Sequence, residues 1–205
     1  KGSIPKLLQD SLGISFDSSV GHDYLEEYDS RYDFYHRKEE RVPFDIDILN
    51  TITKGGLPRK SMTVLLATTG GGKSLIKCHM AANHLMYGKN VLYITMEMAE
   101  ERIAERIDAN LMGVSMEDLH DLPKQMFDSK IDFINKNTSG TLIVKEYPTA
   151  SAHSAHFRGL IKELAIKKSF KPDIIFIDYL NICLSSLFLF SSNFYSYTII
   201  NSISV

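Results

Sequence analysis

A chain of 205 residues with 44% apolar and 23% charged residues suits one ordinary soluble domain with a real core. A net charge of −2 excludes a protein coated in basic surface, although a groove for nucleic acid needs only a local patch. The two cysteines, Cys78 and Cys183, lack metal-ligand spacing and read as reduced thiols rather than as a disulfide.

No signal peptide opens the sequence, because residues 1–12 hold no long apolar run; a cytoplasmic protein is expected. Ile4, Leu7, Leu8 and Leu12 share one helical face, and Gly13 suits the stop. So short a helix needs a surface to dock on, either its own domain or a neighbouring subunit. Residues 14–45 read as a polar connector. Its charge run from Glu26 to Arg41 is preceded by Tyr24 and interleaved with Tyr28, Tyr32, Phe34 and Tyr35. Mixed signs at helical spacing point to a solvated helix face more than to a platform for single strands. The domain limits expected are a linker and connector over 1–45, a nucleotide-binding core over 46–184, and a tail over 185–205.

After the turn at Lys54-Gly55-Gly56-Leu57-Pro58, the apolar run Met62 to Leu66 predicts a buried strand. Thr69-Gly70-Gly71-Gly72 follow, and Lys73-Ser74-Leu75 open an amphipathic helix that Gly88 can end. The pattern GxxxxGK[ST] is met everywhere except at its first position, where Ala67 stands for glycine. Glycines let successive backbone N–H groups turn inward around phosphates, and the helix N-terminus adds the positive end of its dipole. Lys73 is placed to reach the β and γ phosphates of ATP, and Ser74 to hold Mg²⁺.

Val91 to Met96 predict a second strand ending at Glu97, with a helix from about Ala99 to Met112. Ser115, with Asp118 three positions later, reads as the N-cap of a short helix. A helix over about 124–137, a strand at 141–145 and a helix at 154–168 follow. At the start of that last helix, His153 and His156 lie three apart, lack a third ligand nearby and read as cap or surface residues rather than a metal pair. Asp173 to Ile177 form a fourth strand ending at Asp178. Strands alternating with helices imply right-handed crossovers and a parallel sheet covered on both faces, an α/β fold. Ser185 to Val205 carry no charge, Gly or Pro and lack strand or helix periodicity; they resemble an aggregation-prone tail.

Ligands of open parallel sheets sit at the carboxyl ends of the strands, where Asp178, Glu97 and the phosphate loop all lie. Asp178, after Ile174-Ile175-Phe176-Ile177, has the Walker B pattern of a Mg²⁺-holding carboxylate. Glu97 is either the general base for an attacking water or an acid that favours the N-terminus of the next helix; spacing leaves both open.

LATTGGGKSLIKCHMAANHLMYGKNVLYITMEMAEERIAERIDANL followed by KPDIIFIDYLNIC resembles the motor domain of DnaB-type hexameric replicative helicases. Within that family it is most similar to the primase-associated helicases of T4-like bacteriophages. IPKLLQDSLGISFDSSVGHDY and KEERVPFDIDILNTITKGGL resemble the linker and motor entrance, so the likeness runs from residue 1 to about 183. It implies a RecA-like P-loop fold and ATP hydrolysis, with Mg²⁺, coupled to 5′-to-3′ travel on single-stranded DNA. It further implies a homohexameric ring with the nucleotide between subunits, and a primase and a helicase loader as partners. Lys73 and Ser74 match the Walker A positions, Asp178 the Walker B aspartate and Glu97 the catalytic glutamate. Arg106 matches a supporting arginine, and residues 4–12 match the helix that docks on the adjacent subunit. Beyond Cys183 the family pattern disappears, and with it the DNA-binding loops and the trans-acting Lys/Arg finger, so weak or absent motor activity is expected of this chain alone. The alternatives are another RecA-like ATPase (recombinase or clock type), a small-metabolite kinase, for which neither a lid nor a substrate cluster is present, and a piece that binds nucleotide without acting as a motor.

Overall fold

The computed structural model describes residues 23–38, 41–68, 70–179, 183 and the strand at 196–202. The linker helix expected at 4–12, the loop residue Thr69 and the stretch 180–182 lie outside the described residues. The chain divides into two compact units, residues 1–39 and 40–205.

In the first unit, the Asp23 carboxylate accepts from the backbone N–H groups of Leu25 at 3.0 Å and Glu26 at 2.9 Å, turning the chain toward helix α1 (Tyr28–His36). No residue of α1 is buried. Its rings pair locally: Tyr32 and His36, one turn apart, have centroids 4.0 Å apart, and the Arg31 guanidinium lies 4.1 Å from the centre of the Tyr24 ring. This is the solvated, mixed-charge helix that the spacing of the run predicts.

The second unit opens with a short antiparallel pair, β1 (Arg41–Val42) and β2 (Leu57–Pro58), around helix α2 (Asp47–Ile52). Gly56 is required here: its φ is +119°, and a Cβ would stand 2.1 Å from the Val42 carbonyl oxygen. That close approach lets Val42, Phe44 and Leu57 enter the main core.

The main elements follow in order: β3 (Met62–Ala67), α3 (Lys73–Met86), β4 (Val91–Thr95), α4 (Glu100–Met112), α5 (Met116–His120), α6 (Lys124–Asn137), β5 (Leu142–Glu146), α7 (Ser154–Lys168), β6 (Ile174–Asp178) and β7 (Ser196–Ser202). All but β7 fall within a residue or two of the predicted spans. Ser115 caps α5 by accepting from the Asp118 N–H at 3.0 Å. At α7, His153 Nδ1 accepts from the Ala155 N–H and His156 Nδ1 from the His153 N–H, so the two histidines are helix caps.

Strand order is β3-β7-β6-β4-β5. Strand β4 runs parallel to both neighbours, with Thr95 opposite Asp178 on one side and Glu146 on the other. Its residues alternate between two cores, as a strand's two-residue period requires. Val91 and Tyr93 pack with Cys78, Met80, Ile103, Ile107 and Phe176 under α3 and α4. Leu92 and Ile94 pack with Leu160, Leu164 and Phe170 under α7. The sheet is thus covered on both faces at its centre.

The expectation of a wholly parallel sheet is corrected by β7. It lies between β3 and β6 and is antiparallel to both, with Ile200 opposite Thr63 and Phe176. The tail expected to lack structure therefore contributes a strand over 196–202. The physical reason is the composition that made it look aggregation-prone. SYTIINS is uncharged and rich in aromatic and β-branched residues, and a strand paired on both sides needs no polar alternation. The parallel part of the sheet is β6, β4 and β5.

Candidate active site

The loop between β3 and α3 curls around the Lys73 ammonium. Lys73 Nζ donates to the backbone carbonyls of Ala67 at 2.9 Å and Thr68 at 2.8 Å, and the Gly71 N–H donates to Thr68 O at 3.1 Å. Gly70 and Gly72 adopt φ of +77° and +80°, and a Cβ on either would meet nothing within 4 Å. Both facts suit a cradle: the backbone turns as only glycine does readily, and the space beside it is open. Gly71 differs, since a Cβ there would stand 3.0 Å from the Ala67 methyl and 3.1 Å from Thr68 O. Ala67, at the position where the consensus has glycine, thus faces a neighbour across the loop that lacks a side chain. The loop, its lysine and the N-terminus of a 14-residue helix form a donor set matched to a polyphosphate.

Lys73, Ser74 and Lys77 share one face of α3, at spacings of three and four residues. That face meets the carboxyl end of β6. Asp178, 1% exposed, forms an ion pair through Oδ1 with Lys77 Nζ, itself 0% exposed. Its Oδ2 accepts from the Tyr93 hydroxyl at 3.0 Å. Burial pushes Lys77 below the ordinary lysine value; the Asp178 charge and hydrogen bond, and more weakly Glu97, act in the opposite sense. Burial also holds the Tyr93 hydroxyl well above its usual range and raises the Cys78 thiol to about 11, so both stay protonated near neutrality.

Glu97 is exposed, just past the end of β4. The Met96 N–H donates to the Asp178 carbonyl at 2.8 Å, which ties the segment carrying Glu97 to the end of β6. Burial, then the charges of Glu97 and Asp178, raise the Tyr179 hydroxyl, so both acids act on one neighbourhood. Glu97 precedes Ala99, the N-cap of α4, and the first-turn acids of that helix are Glu100 and Glu101. Glu100 is engaged elsewhere, accepting from the Glu146 N–H at 2.8 Å and from Lys145.

The structure thus brings Lys73 and Ser74 onto the helix face that reaches Asp178, with Glu97 on the adjoining strand end. Leu75 is exposed in the first turn of α3, three positions after Gly72. Sequence reasoning missed Lys77 and Tyr93. The local signal was only partial: Lys77 is a lysine beside Cys78, Met80 and Ala81 on a face otherwise bound for the core, but its partner lies 101 residues away in the chain.

A family model described as "DnaB-like helicase C terminal domain" matches residues 42–192. The chain is 47% identical over 206 aligned positions to the "DnaB-like replicative helicase" of Enterobacteria phage T4, covering 98% of this chain and 43% of that protein. It is 28% identical over 136 positions to a "Probable plasmid replicative DNA helicase" of Chlamydia trachomatis, covering 64% of this chain and 29% of that protein. The chain therefore spans less than half the length of these relatives. Among the described residues, no helix is long and apolar enough to cross a membrane. Agreement between the family model and the phage relative over the same strands and loop places this chain in the family of DnaB-like helicase C-terminal domains.

Proposed function

We propose that this chain carries the ATP site of a replicative DNA helicase motor, with a RecA-like P-loop core. Backbone N–H groups of residues 69–75 hold the phosphates and Lys73 offsets their charge. Ser74 and Asp178 hold Mg²⁺, and Glu97 accepts the proton of the attacking water. The observation that carries this reading is the Lys77–Asp178 pair, which fastens the helix face bearing Lys73 and Ser74 to the end of β6.

Each residue's part follows from its surroundings. Lys73 rests on two loop carbonyls, neutral acceptors that anionic phosphate oxygens outcompete. Magnesium would supply charge neutralisation at the β and γ phosphates. Glu97 is exposed, so its carboxylate is open to an approaching water. Its place ahead of the α4 cap favours this role over the helix-dipole alternative. In the assembled protein the reading extends to a homohexameric ring with sites between subunits. It also extends to 5′-to-3′ travel on single-stranded DNA, and to a primase and a loader as partners.

The test is a titration with a fluorescent ATP analogue in the presence of Mg²⁺. Lys73→Ala should weaken binding by at least about 100-fold, because the cation that offsets phosphate charge in a partly desolvated cradle is lost. Equal titration curves for the two proteins would remove the phosphate-loop reading.

A further inference from the structure

The most unusual group near the site is a lysine with no exposed surface. Lys77 sits one turn beyond Lys73 on α3, and its ammonium reaches Oδ1 of the carboxylate assigned above to magnesium. The other oxygen, Oδ2, is held by the Tyr93 hydroxyl. Tyr93 is itself fixed, stacked on Phe176 with centroids 5.8 Å apart, and the Cys78 sulfur lies 3.9 Å from its hydroxyl. Both oxygens of Asp178 are thus engaged by the protein.

Burying an ammonium is costly, and a well-packed apolar residue at such a position is often as stable or more so. A purely structural fastener between α3 and β6 would not need a charge. The charge matters because of what it faces. Asp178 is 1% exposed, and without a cation its ionised form would stand in the interior with only one hydroxyl donor. A divalent cation approaching the same carboxylate would meet a like charge at close range, within one helical turn of Lys73.

We propose that Lys77 is the counter-ion of Asp178 in the metal-free protein and competes with Mg²⁺ for Oδ1, so that Lys77 sets the Mg²⁺ concentration at which nucleotide is captured. This inference rests on the nucleotide-site reading above. Lysine suits the task, since its four-carbon stem can withdraw the ammonium from one oxygen while the helix backbone stays in place. Tyr93 has no such freedom and keeps Oδ2 oriented. Lys77 is on this account a positioning residue, acting on metal through Asp178.

The test follows binding of a fluorescent ADP analogue as Mg²⁺ is titrated, alongside thermal unfolding in EDTA and with Mg²⁺ alone. The proteins compared are the parent chain, Lys77→Met, and Lys77→Met combined with Asp178→Asn. Removing one like charge from the metal's surroundings should lower the half-saturating Mg²⁺ concentration of Lys77→Met on the order of tenfold. Its Tm should fall in EDTA and recover with Mg²⁺ alone, which a structural fastener would not do. The double variant should regain stability in EDTA yet lose the response to Mg²⁺. If Lys77→Met does not fold, Lys77→Gln, which keeps a donor toward Asp178, should show the same shift in midpoint. Equal Mg²⁺ midpoints in the parent and the lysine variant, with a Tm loss that Mg²⁺ does not recover, would reduce Lys77 to a fastener. A parent that binds no nucleotide at any Mg²⁺ concentration would instead overturn the nucleotide-site reading itself.

Discussion

His84 shows how a single side chain can carry the pH response of the fold. It lies on the buried face of α3, 1% exposed, with its ring 6.2 Å from that of Phe176. Among the described residues neither ring nitrogen has a hydrogen-bond partner. Burial, reinforced by the Lys89 charge and opposed by Asp45, lowers its pKa to about 4. A folded-state pKa below the unfolded value means that protons favour the unfolded chain. The stability is fully present above the unfolded pKa of about 6.5 and is lost as pH falls toward 4. Between pH 7 and pH 5 the loss from this group should be about 2 kcal/mol. Denaturant unfolding of the parent and of His84→Leu at the two pH values checks it, and His84→Leu should lack that share of the acid loss. The same residue marks a limit of sequence reading. A histidine within HMAANHLM fits either face of an amphipathic helix until the neighbouring strand is known. The places of Lys73 and Ser74 at a helix start and of Asp178 at a strand end were legible because a loop consensus and an apolar run fix them locally. Lys77 and Tyr93 were not, because their partner is far away in the chain.

At the scale of elements, spacing was enough wherever burial alternates with a fixed period. Helix α4 illustrates this, with Ile103 and Ile107 one turn apart and both in the core under β4. Ile103 has no exposed surface, so Ile103→Ala should cost about 2–4 kcal/mol through lost transfer energy and a residual cavity. Urea unfolding of the variant measures it, and a loss below about 1 kcal/mol would mean that the site collapses to fill the gap. Boundaries were legible for the same local reasons: Gly113, at φ +64°, ends α4, and Ser115 starts α5. Strand β7 was not legible, because what makes it a strand is a two-sided slot and not a pattern of its own.

For the whole sheet, β7 matters more than its length suggests, since the described backbone joins β3 to β6 only through it. The glycine loop leaves from β3 and Asp178 ends β6, so this strand spaces the two halves of the proposed site. Proline at position 200 would remove an N–H donor from the middle of a strand paired on both sides. Ile200→Pro should therefore lower stability by at least about 2 kcal/mol, as ladder hydrogen bonds are lost and register is disturbed. It should also weaken nucleotide binding. Thermal unfolding and the nucleotide titration read the two effects separately. A variant as stable as the parent would show that β7 is dispensable to the sheet.

If Glu97, Lys73 and Asp178 form one hydrolytic site, Glu97→Gln in the full-length protein should keep nucleotide and lose ATP turnover. Amide for carboxylate keeps the size and removes the proton acceptor. Nucleotide affinity should then stay within about twofold, while turnover falls by about 10²–10⁴. Unchanged turnover would contradict a single hydrolytic site and leave Glu97 an ordinary acid on the way into a helix.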